Sequence, residues 1–498
     1  MNEMDAAEDI SKARCIATEP INFLLLAIQG MLVTLRTLYI QETLASDYGY
    51  NLLPQQRGNC SLQNVTDPLE VQINSETALW IMWLSSISTF LPILTASVLV
   101  ASSDFIGRKP ILILSAIGHL IASLIYLLVS LIDLPLSVTL LAAITLGISG
   151  DTSAAITVST AYIADSTSGK SRTQRLVLQS LATYVGWGSG QAFAGILVRY
   201  LDNFSVCFAI PVALSVINLF YTICPGILLE TISHREYFNF KKVLHKSFKN
   251  LRGVFGMKAS KGRRNVWCLM TIICFIMFVV ESVYDVIVIY GLGRPFCWTP
   301  DVVGYYYAAV SLFPAVVATV TVRPLLRCLS EYWLVHFSLI SLIAQILTSA
   351  LAPTTLHLAV SATAVSLFRT TASPVCKGLI SKTVRKKEHG MYFALLSLFL
   401  SLSSVCSPFV INGLFAYTIK TGFPQITLYV TAVILLIPIF LNGLLQYNDR
   451  RIRSGEKSSN VDDHEDDDDQ KARSPNQNLN FVSSGDEKEI KGAMKDEN

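Results

Sequence analysis

The stretch Ser103-Asp104-Phe105-Ile106-Gly107-Arg108-Lys109-Pro110 separates two apolar runs, each about as long as a membrane-spanning helix. Residues 79–101 before it and 111–131 after it are almost free of charge. Short loops rich in Lys and Arg are retained on the cytoplasmic side of a membrane. The stretch therefore predicts a helical hairpin whose turn faces the cytoplasm.

The composition is that of a polytopic membrane protein. The chain has 498 residues, of which 52% are hydrophobic and 15% charged. Its mean hydropathy is +0.47, whereas a soluble chain of this length carries about 25% charged residues. The net charge of +3 gives no reason to expect a nucleic-acid partner. The polar start of the chain lacks the pattern of a cleaved signal peptide, so the first span is expected to direct insertion.

A search for apolar runs of about 20 residues predicts twelve spanning helices. We number these predicted spans 1 to 12 in chain order: 21–43, 78–101, 111–132, 136–163, 176–200, 205–227, 265–291, 301–323, 333–353, 355–382, 389–415 and 424–446. The fold class expected is an all-α membrane protein with twelve transmembrane helices in two six-helix halves.

The distribution of cations predicts the topology. Alternate loops are rich in Lys and Arg residues, namely Arg108, Lys109, Lys170, Arg172, Arg175, Arg323, Arg327, Lys382, Arg385, Lys386 and Lys387. The segment 228–264 adds ten more against only two carboxylates. The positive-inside bias places both termini in the cytoplasm. The expected domains are a cytoplasmic N-terminus (1–20), a first half (21–227), a basic linker (228–264) and a second half (265–446).

Two further segments are polar. The outward loop 44–77 contains two N-glycosylation sequons, at Asn59 and Asn64. The tail 447–498 includes an acidic run and has too little apolar surface to fold, so we expect it to be disordered.

The stretch 103–110 resembles the loop between helices two and three of the major facilitator superfamily, a family of two-domain secondary transporters. The resemblance implies a cytoplasmic latch that includes Gly107. Asp104 would meet the positive amino end of helix eleven. Arg108 would meet an acidic residue at the end of helix four, for which Asp165 is well placed. A substrate contact is the alternative for this pair.

Carboxylates within the predicted spans are candidate proton-coupling or gating groups, because ionisable groups in a membrane are costly. Asp151 lies in span 4, where a structural role bonded to hydroxyls of span 1 or 2 is equally open. Glu281 and Asp285 lie one turn apart in span 7 and face the same way. Two like charges so close in a partly dry site cannot both ionise cheaply, so one of the two carboxyl groups should hold a proton. A proton-coupled carrier needs such a group. Alternatively, Asp285 is simply hydrated at the outer mouth.

Span 10 carries the candidate substrate-binding residues Arg369, Ser373 and Lys377 on one slowly turning stripe. Pro374 interrupts the helix, as in transporters whose broken helices line the cavity. Lys377 would hold an anionic substrate as a point charge, or it would pair with a carboxylate of a neighbouring helix. Arg36 in span 1 is a further candidate, with Glu42 or the substrate as its partner.

Several segments resemble one branch of the superfamily, solute carrier family 46, over about residues 19–446. They are Asp47-Tyr48-Gly49-Tyr50-Asn51, Gln56-Arg57-Gly58-Asn59-Cys60, Gly150-Asp151, Ala164-Asp165, Ser171-Arg172-Thr173 with Arg175, Pro295-Phe296-Cys297-Trp298, Val303-Gly304-Tyr305, Pro374-Val375-Cys376-Lys377 and Ser381-Lys382. The resemblance implies an outward disulfide between Cys60 and Cys297, both of which the topology places in outward loops.

The chain departs from the folate-carrying members of that family in two places. Residues 178–180 hold no carboxylate, and Lys377 stands where those members have Arg. The resemblance leaves several substrate classes open: folate-like molecules, muropeptides, cyclic dinucleotides and steroid conjugates, which are mostly anionic.

The expected function is secondary active transport of an organic anion by alternating access, coupled to protons and without any other cofactor. A receptor or scaffold that retains the fold is the alternative, and an enzyme is not expected. The expected partners are the small anion and membrane lipid, with the protein monomeric or weakly homo-oligomeric. The expected site is the plasma membrane or an endolysosomal membrane.

Overall fold

The computed structural model describes residues 18–50, 68–167, 169–201, 203–224, 228, 230, 261–384 and 389–451. Several sequence predictions lie outside these residues. They concern the sequons at Asn59 and Asn64, Cys60, most of the basic linker and the acidic tail.

The described residues form helices and contain no strand. We label the helices after the predicted spans: α1 Glu19–Asp47, α2 Pro68–Ile106, α3 Arg108–Ile132, α4a Thr139–Ile148, α4b Asp151–Ser166, α5 Gly169–Leu201, α6 Phe204–Ile223, α7 Lys261–Leu292, α8 Pro300–Cys328, α9 Glu331–Ala350, α10a Thr355–Val360, α10b Ala372–Thr383, α11 His389–Lys420 and α12 Gln425–Ile434, which is helical again over 436–451. Every predicted span therefore corresponds to helix.

Ten of these helical segments are long and apolar enough to cross a membrane. Within the described residues, spans 5 and 10 do not meet both criteria. Helix α5 is long but rich in polar residues and glycine, and span 10 is divided into α10a and α10b. Both departures are expected of helices that line a polar space rather than lipid.

The predicted outward loop 44–77 is shorter in the structure. Helix α1 continues to Asp47, and α2 begins at Pro68. The first turns of α2 are polar, so hydropathy does not distinguish them from a loop. For the same reason α7 begins at Lys261, inside the predicted linker.

The packing around α1 joins helices of the first half. Helix α5 crosses α1 closely, because Cβ atoms at Gly186 and Gly190 would lie 2.4 Å from the Phe23 carbonyl oxygen and 2.1 Å from that of Ala27. Small residues permit this approach between membrane helices. Helix α1 is consequently the most enclosed of the candidate spans.

We call the end of the bundle that holds Tyr48 and Pro68 the loop end, and the end that holds Ile106 and Cys224 the linker end. The loop-end portion of α5, residues 186–198, is mostly buried, whereas 178–185 are mostly exposed. Helix α8 shows the same change, from buried residues at 303–310 to largely exposed ones at 316–328. The two halves are therefore packed together at the loop end and separated towards the linker end.

Candidate functional site

Arg36 of α1 lies at the centre of the bundle between the two halves. It is 8% exposed, and its Nη2 donates to the Ser85 hydroxyl at 3.2 Å. The guanidinium lies within electrostatic range of Asp151 in the first half and Asp285 in the second. Its Nε is buried and has no hydrogen-bond partner among the described residues. Arg36 thus offers an unused N–H to an anion.

Glu281 and Asp285 of α7 lie on the side of the second half that faces the first. Ser404 of α11 donates to Glu281 Oε1 at 3.1 Å, and Tyr307 of α8 donates to Asp285 Oδ1 at 2.8 Å. Asp285 is 8% exposed, so it is not a hydrated group at the outer mouth. Glu281 is accessible and lies within electrostatic range of Asp151. Three carboxylates from α4b and α7 therefore face one internal space.

Helix 10 is broken over residues 361–371, which lie before Pro374 rather than at it. A π-helical turn at Ser361–Val365 precedes a non-helical turn. Pro374 then lies in the first turn of α10b, where its ring would clash with the carbonyl of residue 370 in a continuous helix. The proline therefore fixes the start of α10b and leaves the preceding backbone without its helical partners.

Side chains of α9 satisfy the backbone groups that this break frees. The Ser338 hydroxyl donates to the Arg369 carbonyl at 2.9 Å and accepts from the Ala372 N–H at 3.0 Å. Ser341 donates to the Val365 carbonyl at 2.5 Å. Because unsatisfied backbone groups are costly in a membrane interior, these contacts make the break a stable feature.

Arg369 is positioned by the break. Its guanidinium carbon lies 4.7 Å from the centre of the Tyr284 ring, and its Nη2 donates to the Val310 carbonyl. Arg369 is 8% exposed, and its Nε has no partner among the described residues. Both buried arginines of the centre therefore retain an unpaired N–H.

Lys377 lies two turns further along, in α10b, with Ser373 one turn before it. Both side chains are half-buried. No carboxylate of the described residues lies within ion-pair distance of Lys377, which does not support the predicted alternative of a salt bridge. The two sequence-predicted cations of helix 10 therefore differ: Arg369 is held by protein groups, whereas Lys377 has no ion-pair partner among the described residues.

Asp151 begins α4b just after a break in the helix at Gly150. Gly150 has a φ of 81° and Asp151 a φ of 49°, a left-handed conformation that is unusual for a residue with a side chain. His119 of α3 lies close by, with its Nε2 3.7 Å from Asp151 Oδ1. Asp151 Oδ1 has no hydrogen-bond partner among the described residues, so the structure does not support the predicted bond with a hydroxyl of span 1 or 2.

At the linker end, Arg108 binds Asp165 as the sequence predicts, with Nε 3.1 Å from Oδ2. The same guanidinium pairs with Asp104 at 2.7 Å. The Asp104 side chain is 57% exposed, and its predicted contact with the start of helix eleven stays a prediction. Gly107 has a φ of 114°, which favours glycine.

Glu230 completes the linker end and was not singled out from the sequence. Its carboxylate accepts from the backbone N–H groups of Arg108 at 2.9 Å and Lys109 at 3.1 Å. These are first-turn N–H groups of α3, where partial positive charge favours a carboxylate. A Cβ at Gly107 would lie 2.3 Å from Glu230 Oε2. The absence of a side chain at residue 107 therefore leaves room for the Glu230 carboxylate that caps α3.

At the loop end, contacts join the two halves directly. Arg294 Nε lies 3.2 Å from Glu70 Oε2, and the Arg294 N–H donates to Glu70 Oε1 at 3.0 Å. Ser75 of α2 donates to the Ala416 carbonyl of α11 at 2.9 Å. These contacts close the space between the halves at this end.

Sequence reasoning did not find Tyr307, Ser404, Ser85, Tyr284 or Glu230. Hydroxyls are frequent in apolar helices, and nothing in their spacing distinguishes those that meet a buried charge. Side-chain contacts between different spans can be identified only from the tertiary structure.

Most of the chain matches the model of the Major Facilitator Superfamily, over residues 21–293 and 270–474. The chain belongs to this superfamily, so it is a multi-pass membrane transporter with the major facilitator fold and not an enzyme.

Its curated relatives include members of solute carrier family 46, the branch that the sequence motifs indicated. The proton-coupled folate transporter of Bos taurus is 26% identical over 437 residues, which cover 86% of this chain and 91% of the relative. The lysosomal proton-coupled steroid conjugate and bile acid symporter SLC46A3 of Gallus gallus is 26% identical and covers 86% and 93%. A probable peptidoglycan muropeptide transporter of Drosophila melanogaster is 25% identical and covers 86% and 85%.

Solved structures share the fold at low identity. The human organic anion transporter MFSD10 has a TM-score of 0.58 and 16% identity, covering 85% of this chain and 98% of that one. The nucleoside transporter NupG has a TM-score of 0.62 and 11% identity, covering 88% and 99%. At these identities the comparison concerns the fold alone.

Proposed function

We propose that this protein is a proton-coupled secondary transporter of an organic anion that works by alternating access. One observation carries the proposal: buried Arg36 lies within electrostatic range of Asp285 across the two halves. Charges in a membrane interior are costly and are retained for a transport pathway. A receptor or scaffold of the same fold has no use for them.

The cations of the cavity favour an anionic substrate. Arg36 and Arg369 each hold a buried Nε–H without a partner in the described residues, and Lys377 has no carboxylate at ion-pair distance. A carboxylate, phosphate or sulfate of the substrate would accept hydrogen bonds from these cationic groups. Tyr284 and Tyr307 border the same space and suit the ring system of an amphiphilic substrate.

The acids of the cavity are the proposed coupling groups. Asp151, Glu281 and Asp285 face the same interior as the arginines, so protonation of one would change how strongly the cations attract the substrate. The names of the relatives point to folate-like, steroid-conjugate and muropeptide substrates, and all three fit this charge pattern. Cyclic dinucleotides, which the sequence resemblance left open, fit it as well.

We also propose that the linker end is cytoplasmic. The cations of 103–110 and of the segment 228–264 support this orientation through the positive-inside bias. The loop end would then be outward or luminal, at the plasma membrane or an endolysosomal membrane, with glycans on Asn59 and Asn64. A disulfide between Cys60 and Cys297 belongs to the same proposal, and Cys297 is not one of the seven free cysteines described.

The test is uptake of labelled anions by cells or vesicles that display the protein, at mildly acidic and at alkaline pH. We expect at least one of the four substrate classes to be taken up several-fold faster at acidic pH. Uptake that does not depend on pH would contradict proton coupling. Ligand-dependent binding of a partner without any flux would favour the receptor.

A further inference from the structure

A buried histidine and carboxylate of the first half face each other through atoms that have no other partner. His119 of α3 is fully buried, and Asp151 of α4b has a side chain that is 20% exposed. His119 Nε2 lies 3.7 Å from Asp151 Oδ1. Neither atom has a hydrogen-bond partner among the described residues.

The hydrogen bond of the other ring nitrogen, Nδ1, indicates which nitrogen carries the hydrogen when His119 is neutral. Nδ1 lies 2.9 Å from the backbone carbonyl oxygen of Ser115. A carbonyl oxygen only accepts hydrogen bonds, so Nδ1 must be the nitrogen that carries the hydrogen. In the neutral ring, Nε2 is then a bare acceptor.

This tautomer places two acceptors opposite each other. An ionised Asp151 has acceptor oxygens only, and a neutral His119 presents the lone pair of Nε2 to one of them. Both are buried, and unpaired polar atoms are costly there. One added proton removes the conflict, because either the ring or the carboxyl group then donates to the other.

We propose that His119 and Asp151 together hold one exchangeable proton, which makes His119 a second member of the proton site. Taking up this proton changes the charge of the pair from negative to neutral. The inference rests on the proposed proton-coupled transport, which it deepens by giving Asp151 a partner. The partly exposed carboxylate provides the contact with the cavity that fully buried His119 lacks.

Contacts of the surrounding backbone hold the His119 and Asp151 side chains opposite each other. Ser115, one turn before His119, donates its hydroxyl to the Asp151 carbonyl at 3.1 Å. The left-handed conformations of Gly150 and Asp151 turn the start of α4b towards α3. A Cβ at Gly118 would lie 2.1 Å from Ser149 Oγ, so the glycine beside His119 allows this approach.

Charged groups from two other helices act on the pair. Arg36 of α1 and Glu281 of α7 both lie within electrostatic range of Asp151. From α6, Ser215 meets Ser123, one turn beyond His119, and contributes only a hydroxyl. Protonation of the pair would therefore be felt by Arg36 in the first half and Glu281 in the second.

The test is ¹⁵N NMR of the purified full-length protein labelled at its seven histidines, without substrate. The His119→Gln variant assigns the His119 signals. On acidification we expect Nδ1 to stay protonated while the Nε2 signal shifts, to that of a protonated nitrogen if the ring takes the proton and to that of a hydrogen-bonded acceptor if the carboxyl group takes it. In Asp151→Asn the amide can donate to Nε2, so we expect the ring to stay neutral over the same range.

A matched control is Asp133→Asn, the same substitution at the residue that follows α3 at the loop end, where it should not alter the His119 signals. An Nε2 signal that does not respond to acidification in the unmodified protein would overturn the proposal. An equal response in Asp151→Asn would overturn it as well. Because no substrate is present, these results do not depend on whether transport is proton-coupled.

A transport assay supplies the second measurement. If the two residues hold one proton, His119→Gln and Asp151→Asn should flatten the pH dependence of uptake to the same extent. The double variant should then flatten it no further, because coupled groups act as a unit. Additive losses in the double variant would show two separate protons and refute the shared site.

Discussion

The loop end and the linker end of this transporter are stabilised in different ways. At the loop end, Glu70 meets Arg294 and Ser75 meets Ala416, so each contact joins one half to the other. At the linker end, the contacts of Arg108 with Asp165 and of Glu230 with the start of α3 leave the second half untouched. The difference indicates a conformation closed at the loop end and open at the linker end.

This comparison implies that the two ends respond differently to mutation. Loop-end substitutions change how the halves meet, and so should alter the balance between conformations. Linker-end substitutions change the stability of one half. Substitutions in the cavity between them should alter transport without affecting either.

The largest effect is expected at Lys377, the half-buried cation of α10b that we propose to bind the anion. Removing its charge in Lys377→Ala should lower uptake at least about tenfold, equivalent to 1.4 kcal/mol of binding or more. Lys377→Arg should retain part of the activity because the charge is kept. The control is Lys382→Ala on the same helix, whose side chain is 68% exposed. Equal uptake by Lys377→Ala and the unmodified protein would remove Lys377 from the site.

The next effect concerns packing at the loop end. In Gly195→Ala the new Cβ would lie 2.4 Å from the Pro300 carbonyl oxygen and 2.9 Å from Gly304 Cα. Such overpacking should cost about 1–3 kcal/mol, measured as a lower melting temperature of the purified protein.

The same substitution in α10b tests the contrast. A Cβ at Gly378 would meet nothing within 4 Å. Gly378→Ala should therefore gain about 0.5–1 kcal/mol from helix propensity. If both variants shifted the melting temperature in the same direction, the two ends would not differ in packing as described.

A smaller effect is expected for the ion pair between the halves. Side-chain exposures of 34% for Arg294 and 15% for Glu70 limit the pair to about 0.2–1 kcal/mol, or up to about fivefold in an equilibrium. Glu70→Gln should accelerate maleimide labelling of a cysteine introduced at buried Asn74. Glu76→Gln is the control, because Glu76 binds Tyr48 of its own half. Labelling that is equally fast in both variants would argue against a gate at Glu70.

The smallest effect is expected at the linker end. Glu230→Gln removes the charge that caps α3 and should destabilise the protein by about 0.3–1 kcal/mol. Thermal unfolding in low salt measures this change, which should shrink as salt is added. Glu76→Gln removes a carboxylate that lies beyond the first turn of α2 and binds Tyr48, so it should change stability less. A larger loss for Glu76→Gln would contradict the capping role of Glu230.

Residues with a strong local signature could be predicted from the sequence. Runs of about 20 apolar residues locate the helices, and the contact of Arg108 with Asp165 follows from a motif that one turn carries. The proline of helix 10 predicts a break, although the break itself precedes Pro374. Hydropathy could not predict the polar first turns of α2, which the structure shows to be helical.

The partners of the buried charges could not be predicted in the same way. The contact of Tyr307 with Asp285 joins neighbouring helices, and that of Ser404 with Glu281 joins helices that are far apart in the chain. Hydroxyls occur in many turns of these helices, so composition and spacing do not single out the ones that meet a carboxylate. The tautomer of His119 likewise depends on a carbonyl oxygen that periodicity does not reveal.

The sequence by itself determined that this chain spans a membrane many times and which ionisable groups lie within the spanning segments. These properties follow from the cost of moving charge and backbone into lipid, a cost that each segment bears independently. Only the tertiary structure decided that the halves meet at the loop end, that Arg36 lies between them and that His119 faces Asp151. Those facts depend on distances between helices remote in the chain, which packing sets and local composition does not encode.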